Sequence, residues 1–294
     1  MSGFSPEWLK LREPADLAAR DAQLARRFAA FLPRIPGRPV RLVDLGAGTG
    51  ANCRALMPRI GGDQEWIAVD RDPRLLEAQG AEMVRWARRQ GYPILAGGGR
   101  ITITVGAECW RVSCLERDLA RNPAGIEDTG AAGVTAAAFF DLVSRSWVET
   151  FASFLARRSL PLFAALTVDG TRVWEPPLPE DAAVTAAFAD HQRRDKGFGP
   201  ALGGAAPTVL GEALAHRGFT VEEAASDWHP AAADEALLAE LVAGEAAAAL
   251  EADPAAVAAW KKKRLDLLKN GRLRLTVGHR DLLAFPGGAG NMGS

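Results

Sequence analysis

The chain has 294 residues, of which 48% are hydrophobic and 24% charged, with a formal net charge of -1. This composition suits a folded domain with a large core, and the near-zero charge gives no electrostatic case for nucleic acid or an acidic membrane surface as partner. Three cysteines (Cys53, Cys109, Cys114) without metal-type spacing, four scattered histidines and no apolar stretch of bilayer length lead us to expect no metal centre, no membrane insertion and a cytoplasmic setting.

Residues 6–32 read as two helices divided near Pro14, with Leu24, Phe28 and Phe31 on one face. Residues 41–45 read as a buried strand, 51–59 as the helix after it, 65–70 as a second strand, and 73–89 as a helix capped by Asp72. Strands are predicted over 101–105 and 110–114, with a loop at Gly97-Gly98-Gly99. A further strand over 139–144 leaves a polar end, Ser144-Arg145-Ser146, before a helix over 147–158 and a buried strand over 160–168. Residues 171–206 interrupt this alternation. Trp174, Phe188 and Phe198 stud them, so they read as an insertion rather than a linker. A helix over 207–217, a strand starting near Phe219, Ala-rich helices over 232–250 and 254–269, and a last strand within 273–285 complete the prediction, with 287–294 a flexible tail.

The densest signal is Asp44-Leu45-Gly46-Ala47-Gly48-Thr49-Gly50, where an apolar strand ends in an acid and a glycine turn. Glycine allows a sharp turn and a close ligand approach, and this position in an α/β sheet suits a nucleotide-like cofactor. Gly46, Gly48 and Ala51 also satisfy a degenerate dinucleotide fingerprint. Asp44 decides between the two, because a carboxylate before the turn repels a pyrophosphate and suits a sulfonium-bearing ligand.

The pattern resembles the first motif of class I S-adenosylmethionine-dependent methyltransferases. Val69-Asp70-Arg71-Asp72-Pro73 resembles the second motif, and Glu116-Arg117-Asp118-Leu119 the acidic position after the third strand. Phe140-Asp141-Leu142-Val143 resembles the fourth strand. The resemblance covers about residues 38–170 well and the C-terminal strands loosely. It implies a three-layer Rossmann-like α/β fold with a mostly parallel seven-stranded sheet, an antiparallel last strand and helical insertions. Residues 1–37 would then be a helical segment over the cofactor site. Residues 38–286 would be the methyltransferase domain, with the insertion 171–206 and an extra helical segment 230–270.

The expected cofactor is S-adenosylmethionine, with S-adenosylhomocysteine as product. Its expected binding residues are Asp44, Gly46, Ala47, Gly48, Thr49, Asp70, Arg71, Asp118 (with Glu116 as competitor), Leu119, Ser144 and Arg20, with Arg12 the alternative clamp for its carboxylate. Substrate contacts are expected at Arg145, Trp147, Trp174, Phe198 and Trp228. His191 and His229 are the base candidates, because histidine titrates near neutrality. The run Lys261-Lys262-Lys263-Arg264 reads as a solvated helix end. The expected reaction is methyl transfer to oxygen or nitrogen of a small, partly apolar molecule, by a monomer or homodimer. The alternatives are an NAD(P)-dependent oxidoreductase and a nucleic-acid or protein methyltransferase. Against the latter, Ser144-Arg145-Ser146-Trp147 holds no Asn-Pro-Pro-Tyr type sequence.

Overall fold

The computed structural model describes residues 4–251 and 253–287. Apart from Gly287, the expected tail lies outside these residues. The chain opens with α1 (Pro6–Ala19) and α2 (Ala22–Phe31). The break between them falls at Arg20-Asp21 and not near Pro14. α1 runs through Pro14, whereas Arg20 is extended and the Asp21 carboxylate accepts the Leu24 N–H at 2.6 Å. Capping at Asp21, reinforced by its own N–H donating to Asp281 Oδ2 at 2.9 Å, sets the boundary more strongly than one lost helical hydrogen bond.

β1 (Val40–Leu45), α3 (Ala51–Ile60), β2 (Gln64–Asp70) and α4 (Pro73–Arg89) follow. A hairpin of β3 (Ile94–Gly97) and β4 (Arg100–Val105) leads to β5 (Glu108–Glu116) and β6 (Gly133–Ala137). Then come α5 (Arg145–Arg158), β7 (Leu162–Glu175), α6 (Asp181–Gln192), α7 (Ala206–Ala215) and β8 (Phe219–Ala225). The last elements are α8 (Glu235–Ala249), α9 (Pro254–Lys269) and β9 (Arg274–Pro286).

The strands form one sheet in the order β3-β4-β5-β2-β1-β6-β7-β9-β8. β5, β2, β1, β6 and β7 are parallel, and β9 runs antiparallel between β7 and β8. The sheet therefore has nine strands rather than seven. The addition is the antiparallel β3–β4 hairpin beside β5, which turns at Gly98 and Gly99, both at positive φ. β3 has four residues, three of them exposed, so no hydrophobic period announces it. On one face α5 and α7 bury Phe151, Leu155 and Leu210; on the other α2, α3 and α4 bury Phe28, Leu56 and Met83. Strand order reverses at β1, between β2 and β6, and there a crevice opens at the carboxyl ends of the strands.

Three further expectations need correction. The fourth parallel strand is Gly133–Ala137, and residues 139–144 form a turn containing one 3₁₀ turn, Phe140–Leu142. Val134, Thr135 and Ala136 pair with β1 or β7 in the core, where tertiary pairing overrides alanine's helix preference. Phe139 and Phe140 pack instead on Trp147. The insertion also starts later than expected, because 172–175 still pair with 274–277 of β9. Beyond it, α6, α8 and α9 enclose a third apolar cluster around Trp174, Trp228 and Trp260. Arg264 is not solvated: it is fully buried there, paired with Asp181 and 5.2 Å from the Trp174 ring centroid.

Candidate functional site

β1 feeds directly into the glycine turn, where Gly46, Gly48 and Gly50 all take positive φ. At Gly46 a Cβ would stand 2.6 Å from Phe139 Cδ2, so both conformation and space demand glycine. Three of the turn's N–H groups are already used. Ala47 donates to Val69 O at 3.0 Å, Gly48 to Asp70 Oδ2 at 2.9 Å and Gly50 to Ala47 O at 2.8 Å. The other oxygen of Asp70 accepts from Asp72 N–H at 3.0 Å. The carboxylate at the end of β2 is thus pinned beside the turn, with lone pairs left for a ligand.

A cavity of about 800 Å³ lies over these strand ends. Gly46, Ala47, Gly48, Thr49, Asp70, Arg71 and Leu119 form one wall, and Arg12 and Asp16 of α1, with Arg20 just after it, face it. His191 and Phe198, from α6 and the segment after it, also line it. Phe198 stands edge-on to Phe139 and Trp147, and Arg71 Nη1 donates to Lys196 O at 3.4 Å, which ties that segment to the wall of the glycine turn.

Other expected site residues lie off this wall. Asp44 is fully buried beneath the turn, where its carboxylate accepts from Asn52 Nδ2 at 2.5 Å, Thr135 Oγ1 at 2.8 Å and the Cys53 thiol at 3.4 Å. Burial pushes its pKa up to about 6 against those hydrogen bonds. Its charge therefore does not face the cavity. Asp118 turns toward Arg121 and caps Ala120 N–H. Ser144 caps α5, and Arg145 is exposed. Trp147 is buried and donates its indole N–H to Leu119 O at 2.7 Å, so it supports the wall from behind. Trp174 and Trp228 belong to the third cluster. His229 is exposed, with Nδ1 3.3 Å from Thr276 Oγ1.

Asp16 was legible but missed. It follows Arg12 by four residues and precedes Arg20 by four, so all three share one helix face. It takes both Nε and Nη2 of Arg12, at 3.0 and 2.9 Å. Arg20 Nη1 donates to Asn52 Oδ1 at 2.7 Å, while its Nε is buried without a partner among the described residues. Burial lowers the Arg20 pKa, opposed by Asp16, Asp281 and Asp44. His191 is lowered by partial burial and by the charges of Lys196 and Arg194. His279 on β9 had no sequence signal. It is buried against the Trp228 ring, donates Nδ1–H to Val277 O at 3.0 Å, and is held down to about 4 by burial and the Arg12 charge.

Among the described residues no helix is long and apolar enough to cross a membrane. No protein-family model matches the chain, and no curated protein matches it. Solved structures do. A cyclopropane-fatty-acyl-phospholipid synthase-like protein from Lactobacillus casei aligns over 97% of this chain and 96% of its own, at 12% identity and a TM-score of 0.52. A methyltransferase from Geobacter sulfurreducens, solved with S-adenosylhomocysteine, aligns over 95% and 98%, at 15% identity and a TM-score of 0.43. At such identity the first likeness is one of fold: this chain shares the fold of that synthase-like protein, and its strand order is that of a Rossmann-like α/β sheet.

Proposed function

We propose that the chain binds S-adenosylmethionine in this cavity and transfers its methyl group to an oxygen or nitrogen of a small molecule. The observation that carries the reading is the pinned Asp70 carboxylate beside the glycine turn. A carboxylate fixed at the end of β2 suits a ribose diol. A pyrophosphate at the turn wants free backbone N–H groups, and those of Ala47, Gly48 and Gly50 are taken. This replaces the charge of Asp44 as the reason to disfavour a dinucleotide. Leu119 and Leu75 offer apolar contact for a base. The Arg20 guanidinium at the cavity suits a carboxylate, and Asp16 an ammonium.

When bound, the cofactor supplies an electrophilic methyl on a good leaving group, so this chain's residues have no strong acid to provide. Their work is to hold the nucleophile in line and exclude water. The α1 face and the segment carrying His191 and Phe198 cover the strand ends, and Phe139 and Phe198 give the cover an aromatic lining. Calorimetric titration with S-adenosylhomocysteine tests the reading. One-to-one binding, with NADH giving no heat, is expected; NADH binding in place of S-adenosylhomocysteine overturns it.

A further inference from the structure

The acids that line the cavity are all engaged within the chain. Asp70 accepts the Gly48 and Asp72 N–H groups, Asp72 pairs with Arg74, and Asp16 holds Arg12. Asp195 turns to its own loop, where Oδ1 accepts the N–H groups of Gly197 and Gly199 at 2.6 and 2.9 Å. Arg71, Arg117 and Lys196 line the same cavity and have no carboxylate partner among the described residues. Their hydrogen bonds go to backbone carbonyls: Arg71 to Lys196 O, Arg117 to Gly125 O, and Lys196 Nζ to His191 O at 3.3 Å. A carbonyl satisfies a donor but leaves the charge in place.

Two of these cations are drawn together. Besides the Arg71 bond to Lys196 O, a Cβ at Gly197 would stand 2.9 Å from Arg71 Nη1, so the guanidinium packs on the backbone that carries Lys196. Partial burial, and then the charges of Lys196 and Arg194, lower the proton affinity of His191 on the same lining. Arg194 is offset by Glu251. A cleft lined by one sign of charge concentrates ligands of the other sign.

The proposed cofactor does not offset this charge. S-adenosylmethionine carries one carboxylate against an ammonium and a sulfonium, and Arg20 suits that carboxylate. It brings net positive charge to a lining already rich in cations. A pyrophosphate at the turn would be a poor counter-charge, because the turn N–H groups of Ala47, Gly48 and Gly50 are taken.

We propose that the methyl acceptor is an anion, a small molecule whose phosphate or carboxylate group is held by Lys196 and Arg71 and whose apolar part lies on Phe139, Leu142 and Phe198. This deepens the cofactor reading above and rests on it. Arginine offers paired donors to such a group and lysine a compact charge. Lys196 and Phe198 stand two residues apart on one segment, so that segment supplies both the charge and the apolar contact. An anion there also offsets the positive charge that the cofactor brings.

The test uses three probes of one shape: phenyl phosphate, benzoate and the uncharged benzyl alcohol. Each is titrated calorimetrically into the full chain saturated with S-adenosylhomocysteine. At least one anion is expected to bind about tenfold more tightly than benzyl alcohol, and which anion is tighter tells phosphate from carboxylate. In Lys196→Gln the preferred anion should lose about fivefold, with benzyl alcohol and S-adenosylhomocysteine changed by less than about twofold. Lys196→Arg should restore the anion. Equal binding of the three probes, or an anion preference untouched by Lys196→Gln, overturns this inference while the cofactor reading stands. Loss in both Lys196→Gln and Lys196→Arg also refutes it, because the segment's fold rather than its charge would then hold the probe. Failure of the unmodified chain to bind S-adenosylhomocysteine overturns the cofactor reading and the acceptor with it.

Discussion

The two walls of the cavity are built by different means. The cofactor wall comes from two neighbouring strand ends, and its key hydrogen bond, Gly48 to Asp70, spans 22 residues inside one strand–helix–strand unit. The opposite wall is assembled from α1, the turn after β6 and the segment after α6. Its ties, such as Arg71 to Lys196 across 125 residues, exist only once the whole sheet has formed. A wall made within one unit can keep its ligand chemistry while the rest of the chain changes. A wall made from distant segments can change its ligand with each insertion. On the proposed reading the cofactor belongs to the first wall and the acceptor to the second.

The largest expected effect breaks the first wall. Asp70→Ala removes the acceptor of two backbone N–H groups as well as the proposed ribose contacts. Charged hydrogen bonds of this kind contribute about 3 kcal/mol together, so S-adenosylhomocysteine affinity falls roughly a hundredfold in calorimetry. Normal binding by this variant would remove the observation on which the cofactor assignment stands.

The second effect is a pH signature of the packing behind α1, where His279 meets Trp228 and feels the Arg12 charge. His279 titrates at about 4 in the fold against 6.5 for the free side chain. Its stability contribution is therefore complete above pH 6.5 and is lost as pH falls from 6.5 to 4, where the unfolded chain takes the proton and the fold does not. Asp44 and Asp141 act in the opposite sense. Both are raised from 3.8 to about 6, so the fold gains stability from them as pH falls from 6 to 4. His279→Gln removes only the first effect. The stability difference between the unmodified chain and the variant should shift by roughly 2–3 kcal/mol in the variant's favour across that window, measured by denaturant unfolding. A pH-independent difference would mean that the histidine is not buried as described.

The seam between the walls comes third. Gly46→Ala puts a Cβ onto Phe139 and forces alanine to φ +59°, at a cost of about 2 kcal/mol in melting experiments. Because Phe139 belongs to the acceptor wall, Phe139→Leu in the same chain should recover part of that loss. Strict additivity would mean that the two walls do not meet there.

The same division explains what could be read in the sequence. Gly46, Gly48 and Asp70 were legible because a positive-φ turn and a carboxylate at a strand end impose residue types locally. The parallel core of the sheet was legible because its strands are buried runs between helices. β6 was misplaced because Val134-Thr135-Ala136 becomes a strand only through its two neighbours, while the bulkier Phe139-Phe140 beside it looks more strand-like. Asp44 was recognised as part of the motif but given the wrong task, since strand register buries it under the turn. His279 drew no notice because its environment is made by Trp228 and Arg12, 51 and 267 residues away in sequence.

The smallest effects separate the two histidines that sequence alone put on equal terms. His191 lines the cavity beside the covering segment, and its proton affinity is lowered by burial, Lys196 and Arg194. His229 is exposed, outside the residues lining the cavity, with its Nδ1 3.3 Å from the Thr276 hydroxyl. His191→Gln should therefore weaken S-adenosylhomocysteine binding by about twofold to threefold through the cover, while His229→Gln leaves it unchanged and shifts stability by less than about 0.5 kcal/mol. The order of the two is the informative quantity. A larger binding loss at His229 than at His191 would mean that the ligand reaches past Trp228 into the third apolar cluster, and the acceptor wall would then include the C-terminal helices rather than the segment after α6.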